Sequence, residues 1–390
     1  MPASIVFFPV DNGDMTLITL ADGRTILVDI NIRQDADNPL TSTYDVASDL
    51  RGRLKRDMNN RPFVDVFLLS HPDKDHCTGL QKHFHLGALA NYCDDSKVDN
   101  EKRIVIRELW SSPMVFRRAS KNHTLCEDAC AFNTEARRRV KINRANNFFN
   151  IPLGDQILIM GEDENGKTDD LNPILIKSGT RFRINNQGYD SKLECFLIAP
   201  MTKQSEELEC VLSKNHSSVI INFSIASNDY SDKCRFLSGG DAEVEIWELI
   251  WDKYRYTPEV LAYNILQTPH HCSWRTLSHD SWSGNGESAK ESTNAVNALS
   301  QARKGAAIVA SSKLIQDEDS DPPCIRAKRT YTRIVQQLSV SGKFYCTGEY
   351  PKSTNVKPLV FEIDNIGVHV ANKTLIGPAS IAASSNLRAG

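Results

Sequence analysis

Residues 68–80, LLSHPDKDHCTGL, decide how the chain is read. An apolar strand, FVDVFLLS at 63–70, ends in a loop that packs His71, Asp73, Asp75 and His76 into six positions. Four titratable side chains at that density repel or desolvate one another unless something binds them, and an H-x-D-x-D-H spacing offers both nitrogen and oxygen donors to a metal. The competing reading is a polar loop with helix-capping aspartates, and the segments further along the chain weigh against it.

Working outward, the first thirty residues read as three strands of a meander: SIVFFPV, MTLITL and, after a turn at Ala21-Asp22-Gly23, TILVDI. YDVASDLRGRLKRDM has the apolar spacing of a helix and leads into the strand before the His/Asp loop. Between about 86 and 190 the pattern blurs, and the stretch reads as an insertion over the core. Strands resume with LECFLIAP, SSVIINFSI and CRFLSGG, then the helix AEVEIWELIWDKY, the strand LAYNILQTP, a helix around 288–302 and the strand GAAIVASS. The helix RTYTRIVQQLSVSG and the strands KFYCTG and LVFEID close the pattern. Two batches of strands, each followed by helices, predict two mixed sheets face to face with helices outside. Residues 1–370 read as one α/β domain and 371–390 as a flexible tail.

Three more loops place ligand-type residues at strand ends, where a rigid scaffold aims side chains. Asp241 follows CRFLSGG and precedes a helix, His270 and His271 follow LAYNILQTP, and His216 precedes SSVIINFSI. For Asp241 the alternative is a helix N-cap. His83 and His85 are expected on the helix after the loop, as surface or packing residues.

The ordered set VDNGD…TILVDI, SHPDKDHCTGL, NHSSV, FLSGGDAE, TPHHCS resembles the metallo-β-lactamase fold, and within it the nuclease-like domain of ComEC-type DNA-uptake proteins. The resemblance implies an αββα sandwich and a two-metal site holding Zn²⁺ or Mn²⁺. His71 and Asp73 would hold one ion, Asp75 and His76 the other, with Asp241 bridging and His271 as the last ligand; His270 is the fallback and His216 a further candidate. Asp29 would support the loop, and Asp11 and Asp14 match the acidic turn of the ComEC-like group. Asp75 and Asp241 would carry catalysis, in which water held between the ions attacks a phosphodiester. Two departures stand out: Cys272 replaces the usual glycine after the paired histidines, and the later Gly-His-Pro segment is absent.

The balance of 46 basic against 49 acidic residues gives a net charge of −3, so no global field marks nucleic acid or membrane as partner. No run approaches the ~20 apolar residues of a membrane span, and no leader segment is evident, so a cytoplasmic protein is expected. The ten cysteines follow no framework and read as reduced. Arg137, Arg138, Arg139, Lys141 and Arg144, with Phe148 and Phe149, could track a nucleic-acid backbone, or could be a solvated helix face. The cluster Arg326, Lys328, Arg329 and Arg333 is equally ambiguous. The expected function is hydrolysis of DNA or RNA. The alternatives are a small phosphodiester or other ester as substrate, or a non-catalytic metal-binding scaffold. A regulatory protein partner, as in bacterial defence systems, is a family-level expectation.

Overall fold

The computed structural model describes residues 2–119, 124–186, 188–202, 205, 212, 214–228 and 230–371; residues 372–390 of the expected tail lie outside the described residues. Two mixed sheets face each other. The larger runs, in spatial order, Val368–Val370, Leu359–Ile363, Ala3–Phe7, Thr16–Thr19, Thr25–Val28, Phe63–Leu68, Ile104–Ser111, Gln156–Met160 and Leu175–Ile176, with Phe84–His85 added beside Ile104–Ser111. The smaller runs Arg181–Phe182, Leu193–Ala199, Ile220–Ile225, Cys234–Ser238, Tyr263–Gln267, Ala302–Ala310 and Lys343–Cys346. The N-terminal meander pairs antiparallel, as expected of short strands joined by tight turns, and pairing becomes parallel from Thr25–Val28 onward.

The facing surfaces interdigitate through aromatic rings. Phe7 meets Phe236 edge-on with centroids 5.7 Å apart, Trp110 meets Phe182 at 5.0 Å, and Tyr345 meets Phe361 at 5.8 Å. Each of these pairs joins one sheet to the other, which makes the inter-sheet layer the principal core. A second apolar layer lies on the outer face of the smaller sheet. There the helices Val244–Tyr254, Thr293–Leu299 and Ile325–Gln336 bury Trp247, Ala298 and Tyr331. On the outer face of the larger sheet, Phe132 of the helix Glu127–Ala145 packs on Phe67 at 5.9 Å. The order is helix, sheet, sheet, helix: an αββα sandwich.

The interval 86–190 does two things. It contributes Ile104–Ser111, Gln156–Met160 and Leu175–Ile176 to the larger sheet, and it covers that sheet with Glu127–Ala145. Its strands are short or flanked by charged residues, which is why they blur in sequence. His83 ends the short helix Leu80–His83 as expected, but His85 lies in the strand Phe84–His85; both are buried, so they pack rather than face solvent.

Parallel pairing sends successive chain ends to one edge. Phe63–Leu68 of the larger sheet, and Cys234–Ser238 and Tyr263–Gln267, adjacent and parallel in the smaller, all finish there. The loops that follow carry the His71, Asp241 and His271 segments, at the position where open α/β sheets bind ligands.

Candidate metal centre

The loop after Phe63–Leu68 leaves the sheet at Ser70, is pinned to the second sheet by Val219 N donating to Ser70 O at 2.9 Å, and turns into the one-turn helix Lys74–Cys77. Opposite it, the Cys234–Ser238 strand ends in Gly239-Gly240. A Cβ on Gly240, which has φ +49°, would stand 2.9 Å from Ser218 Cβ, so only glycine lets Asp241 approach. Ser218 Oγ then accepts from Asp241 N at 3.0 Å. Asp241 does not cap the helix that follows; Glu243 holds that position. The third wall, Pro269–Cys272, places His270, His271 and Cys272 consecutively at φ 49°, 51° and 69°, a left-handed stretch that non-glycine residues adopt at a cost of about 1–3 kcal/mol each. Cys272 therefore occupies a conformation that favours glycine. Its side chain is buried in the outer apolar layer with Trp274 and Tyr331, not in the wall of the site.

Asp241 is the hub. Its Oδ1 lies 3.0 Å from His76 Nε2 and 3.5 Å from His271 Nε2, while its Oδ2 lies 3.6 Å from His71 Nδ1. Asp75 Oδ2 is 3.1 Å from His271 Nε2, and Asp14 Oδ1 is 3.4 Å from His271 Nδ1. His71, His76, Asp241, Asp14 and His271 are all buried, while Asp75 is 36 % exposed and marks the mouth. Both ring nitrogens of His71 and of His271, and Asp14 Oδ1, make no hydrogen bond despite their burial. A buried polar atom without a partner costs about 1–3 kcal/mol, and here several converge with lone pairs toward one another. The arrangement could hold a divalent metal: overlapping groups of three donors link His71–His76–Asp241, Asp75–His76–His271 and Asp14–Asp241–His271.

The buried groups shift one another. Burial holds the His71 pKa down at about 4, so at neutral pH the ring is uncharged and one of its nitrogens has a free lone pair. Burial also opposes charge on His76 and His271, but neighbouring carboxylates, Asp241 foremost, outweigh it and raise both. Burial works against the Asp241 carboxylate too, and the surrounding histidines, His76 first, hold its pKa well below the ordinary value. Asp75 sits at about 2: burial pushes it up, and the imidazoles of His271, 3.1 Å away, and His76 pull it further down.

Asp29, at φ 55°, stands behind the loop. Its carboxylate accepts from Ser70 N at 2.7 Å, from Ser70 Oγ, and from His76 Nδ1 at 2.9 Å, orienting His76 Nε2 toward Asp241.

The remaining sequence candidates sort themselves by position. Asp73 lies at the rim, with Oδ2 3.9 Å from His71 Nδ1. Asp11 points outward into an ion pair with Arg33, whereas Asp14 of the same turn is buried in the cluster, its N–H donating to Asp75 O at 3.2 Å. Gly13 allows that approach, since a Cβ there would stand 2.8 Å from the same carbonyl. His216 is carried away from the centre, with Nε2 2.9 Å from Glu245 Oε2 and 3.8 Å from Glu243 Oε2. His270 turns toward Glu243, 3.7 Å away, and leaves His271 alone at the hub. Sequence reasoning underrated Asp14 and missed the Glu243–Glu245 partners of His216; the acidic pair in DAEVEIW was the available signal. Cys126 Sγ lies 3.4 Å from Cys77 Sγ beside the His71–His76 loop.

The basic helix divides. Arg139 is buried and bonded to Glu135 Oε1 at 2.7 Å, Arg138 joins Glu135 at 2.7 Å and Asp155 at 2.6 Å, and Arg144 pairs with Asp170 at 2.6 Å. Arg137 and Lys141 are exposed and have no partner among the described residues. Phe149 is 71 % exposed while Phe148 packs against the core. In the other cluster, Arg329 meets Glu287 at 2.9 Å, Arg333 meets Glu291 at 2.5 Å, Lys328 meets Glu349 at 2.8 Å, and Arg326 pairs with Glu287. Among the described residues no helix is long and apolar enough to cross a membrane.

No protein-family model matches the chain, and no curated protein is similar to it. Among solved structures, it is similar to an isothiocyanate hydrolase from Delia radicum gut bacteria, at 11 % identity and a TM-score of 0.36, over 92 % of this chain and 99 % of that one. It is also similar to unliganded yeast PDE1, at 9 % identity and a TM-score of 0.39, over 88 % of this chain and 97 % of that one. At these scores neither likeness bears on the reaction; the sandwich and its buried donor set rest on the chain's own geometry.

Proposed function

We propose that the chain is a metal-dependent phosphodiester hydrolase. The observation that carries this reading is Asp241: its two oxygens face different histidines in a buried cluster where the ring nitrogens of His71 and His271 and Asp14 Oδ1 make no hydrogen bond. His71, with Asp73 at the rim, would hold an ion on the Oδ2 side; His76, His271, Asp75 and Asp14 would hold one on the Oδ1 side. Four aspartates to three histidines make a hard donor set, suited to Mn²⁺ and compatible with Zn²⁺. Divalent ions there would supply Lewis acidity toward a phosphoryl oxygen and a lowered pKa for water. The chain's own part is to fix the His76 tautomer through Asp29, to bring Asp14 and Asp75 together through Gly13, and to leave Asp75 at the mouth where substrate enters.

A small phosphodiester is favoured over a long polyanion as substrate. Most basic side chains of both clusters are already neutralised by carboxylates, and the net charge is −3. Nucleic acid is the second reading, supported by the unpaired Arg137 and Lys141. The test is hydrolysis of bis(4-nitrophenyl) phosphate, cyclic nucleotides and labelled single- and double-stranded DNA and RNA by metal-stripped protein with Mn²⁺ or Zn²⁺ restored, beside Asp241→Ala. Metal-dependent turnover lost in the variant is expected. Turnover retained by Asp241→Ala, or no turnover by protein that carries two ions, would refute the reading.

A further inference from the structure

A cavity of about 670 Å³ lies beside the His71–Asp241–His271 cluster rather than in it, and falls within the range of small-ligand sites. Its floor is apolar: Phe116, Leu125, Val140, Ile159 and Leu171. Its wall is one face of the helix Glu127–Ala145, where Asn133, Arg137, Val140, Lys141 and Arg144 recur at helical spacing. Lys167 closes the rim, and among the described residues Asp163 is the one acidic side chain in the lining. Arg144 and Lys167 are engaged by Asp170 and Glu164. Arg137 and Lys141 face the cavity with no carboxylate to answer them among the described residues. This contrasts with Arg138 and Arg139, one and two positions on, which are tied to Glu135.

The cavity opens at the same sheet edge as the metal loop. Ser111 in its wall ends the strand Ile104–Ser111, whose Trp110 O accepts from Leu69 N, two residues before His71. Neighbouring strands stand about 4.8 Å apart. Leu125 of the floor precedes Cys126, which touches Cys77, the residue after His76. A ligand in the cavity is therefore a close neighbour of the metal centre.

We infer that this cavity binds a nucleoside monophosphate moiety, its phosphate answered by Arg137 and Lys141 and its base laid on the apolar floor. The chemistry selects this class because unpaired cations demand an anion, while Phe116 and the aliphatic side chains reward a flat, weakly polar body of cavity size. That the moiety is part of the substrate rests on the phosphodiesterase reading; that the cavity binds it does not.

The experiment is calorimetric titration of full-length protein in EDTA with AMP and UMP, beside adenosine, uridine and inorganic phosphate. It is repeated with Arg137→Glu/Lys141→Glu and with Asp241→Ala, after circular dichroism has shown each to be folded. Expected is saturable binding of a nucleotide, weakened about tenfold or more by the charge reversal, as loss of charge-assisted contacts requires, and kept in Asp241→Ala. No nucleotide binding up to about 1 mM, equal binding of nucleoside or of phosphate alone, or affinity unchanged by the charge reversal would each overturn the inference. Because binding is read without metal, failure to hydrolyse any ester would sink the proposed function and leave this result standing.

Discussion

Replacing Asp29 by Asn tests whether the buried cluster is a metal centre. Asp29 is fully buried and accepts from Ser70 N, Ser70 Oγ and His76 Nδ1. An asparagine has nearly the same shape and its oxygen can keep the Ser70 N–H, but its amide nitrogen is then a donor facing both the Ser70 hydroxyl and His76 Nδ1. The hydroxyl can rotate to accept; the imidazole can accept only by moving its proton to Nε2, the nitrogen 3.0 Å from Asp241 Oδ1. That tautomer removes the lone pair the centre needs. Loss of such an outer hydrogen bond costs metal affinity about 10–100-fold, or about 1.4–2.8 kcal/mol. The assay is competition for Zn²⁺ and Mn²⁺ against a chromophoric chelator, with urea unfolding of the metal-free variant as the control for folding. Affinity within about twofold of the parent in a folded variant would mean that His76 is not a ligand oriented by Asp29.

Three further outcomes are expected. His271→Ala should lower the number of ions bound in metal analysis, whereas His270→Ala should keep the full complement, because only His271 reaches Asp14, Asp75 and Asp241; the reverse result would reassign the last ligand. Burial raises the Glu108 carboxyl to about 7 from an ordinary 4.5, against the donors Trp110 Nε1 and Asn185 N. Between those values the folded protein holds the extra proton, so stability falls as pH rises from about 4.5 through 7, by at most about 3 kcal/mol. Urea unfolding in EDTA at pH 5 and pH 8 should show that loss in the parent and not in Glu108→Gln; parallel losses in both would refute it. Arg139→Ala should destabilise by about 1–3 kcal/mol, since it takes one of two arginines from buried Glu135 and removes the donor to the carbonyls of Ile106 and Gln156. Arg137→Ala should change stability by no more than about 0.5 kcal/mol; equal effects of the two in denaturant titrations would contradict their placement.

Local chemistry wrote some of this protein openly. The meander, the strand that delivers His71, and the helices outside the smaller sheet follow from apolar periodicity and turn residues, because those patterns need only near neighbours. The His71–His76 loop was legible for the same reason: four ligand-type side chains within six positions have no inexpensive structural use. Other features depend on which strand ends meet, and no local pattern encodes that. Asp14 and Asp11 share one turn, yet one is buried against His271 and the other pairs with Arg33 at the surface. His270 and His271 are adjacent, yet the left-handed turn sends them to different carboxylates. Arg137 to Arg139 read as one basic run, but the helix turns about 100° per residue, so Arg139 points into the sheet and Arg137 into a cavity. The layer order and the candidates His71, His76, Asp241 and His271 could be read from local pattern and motif order. That they meet was decided only in three dimensions, because Asp241 and His271 reach His76 through the parallel register of sheets whose strands end at one edge.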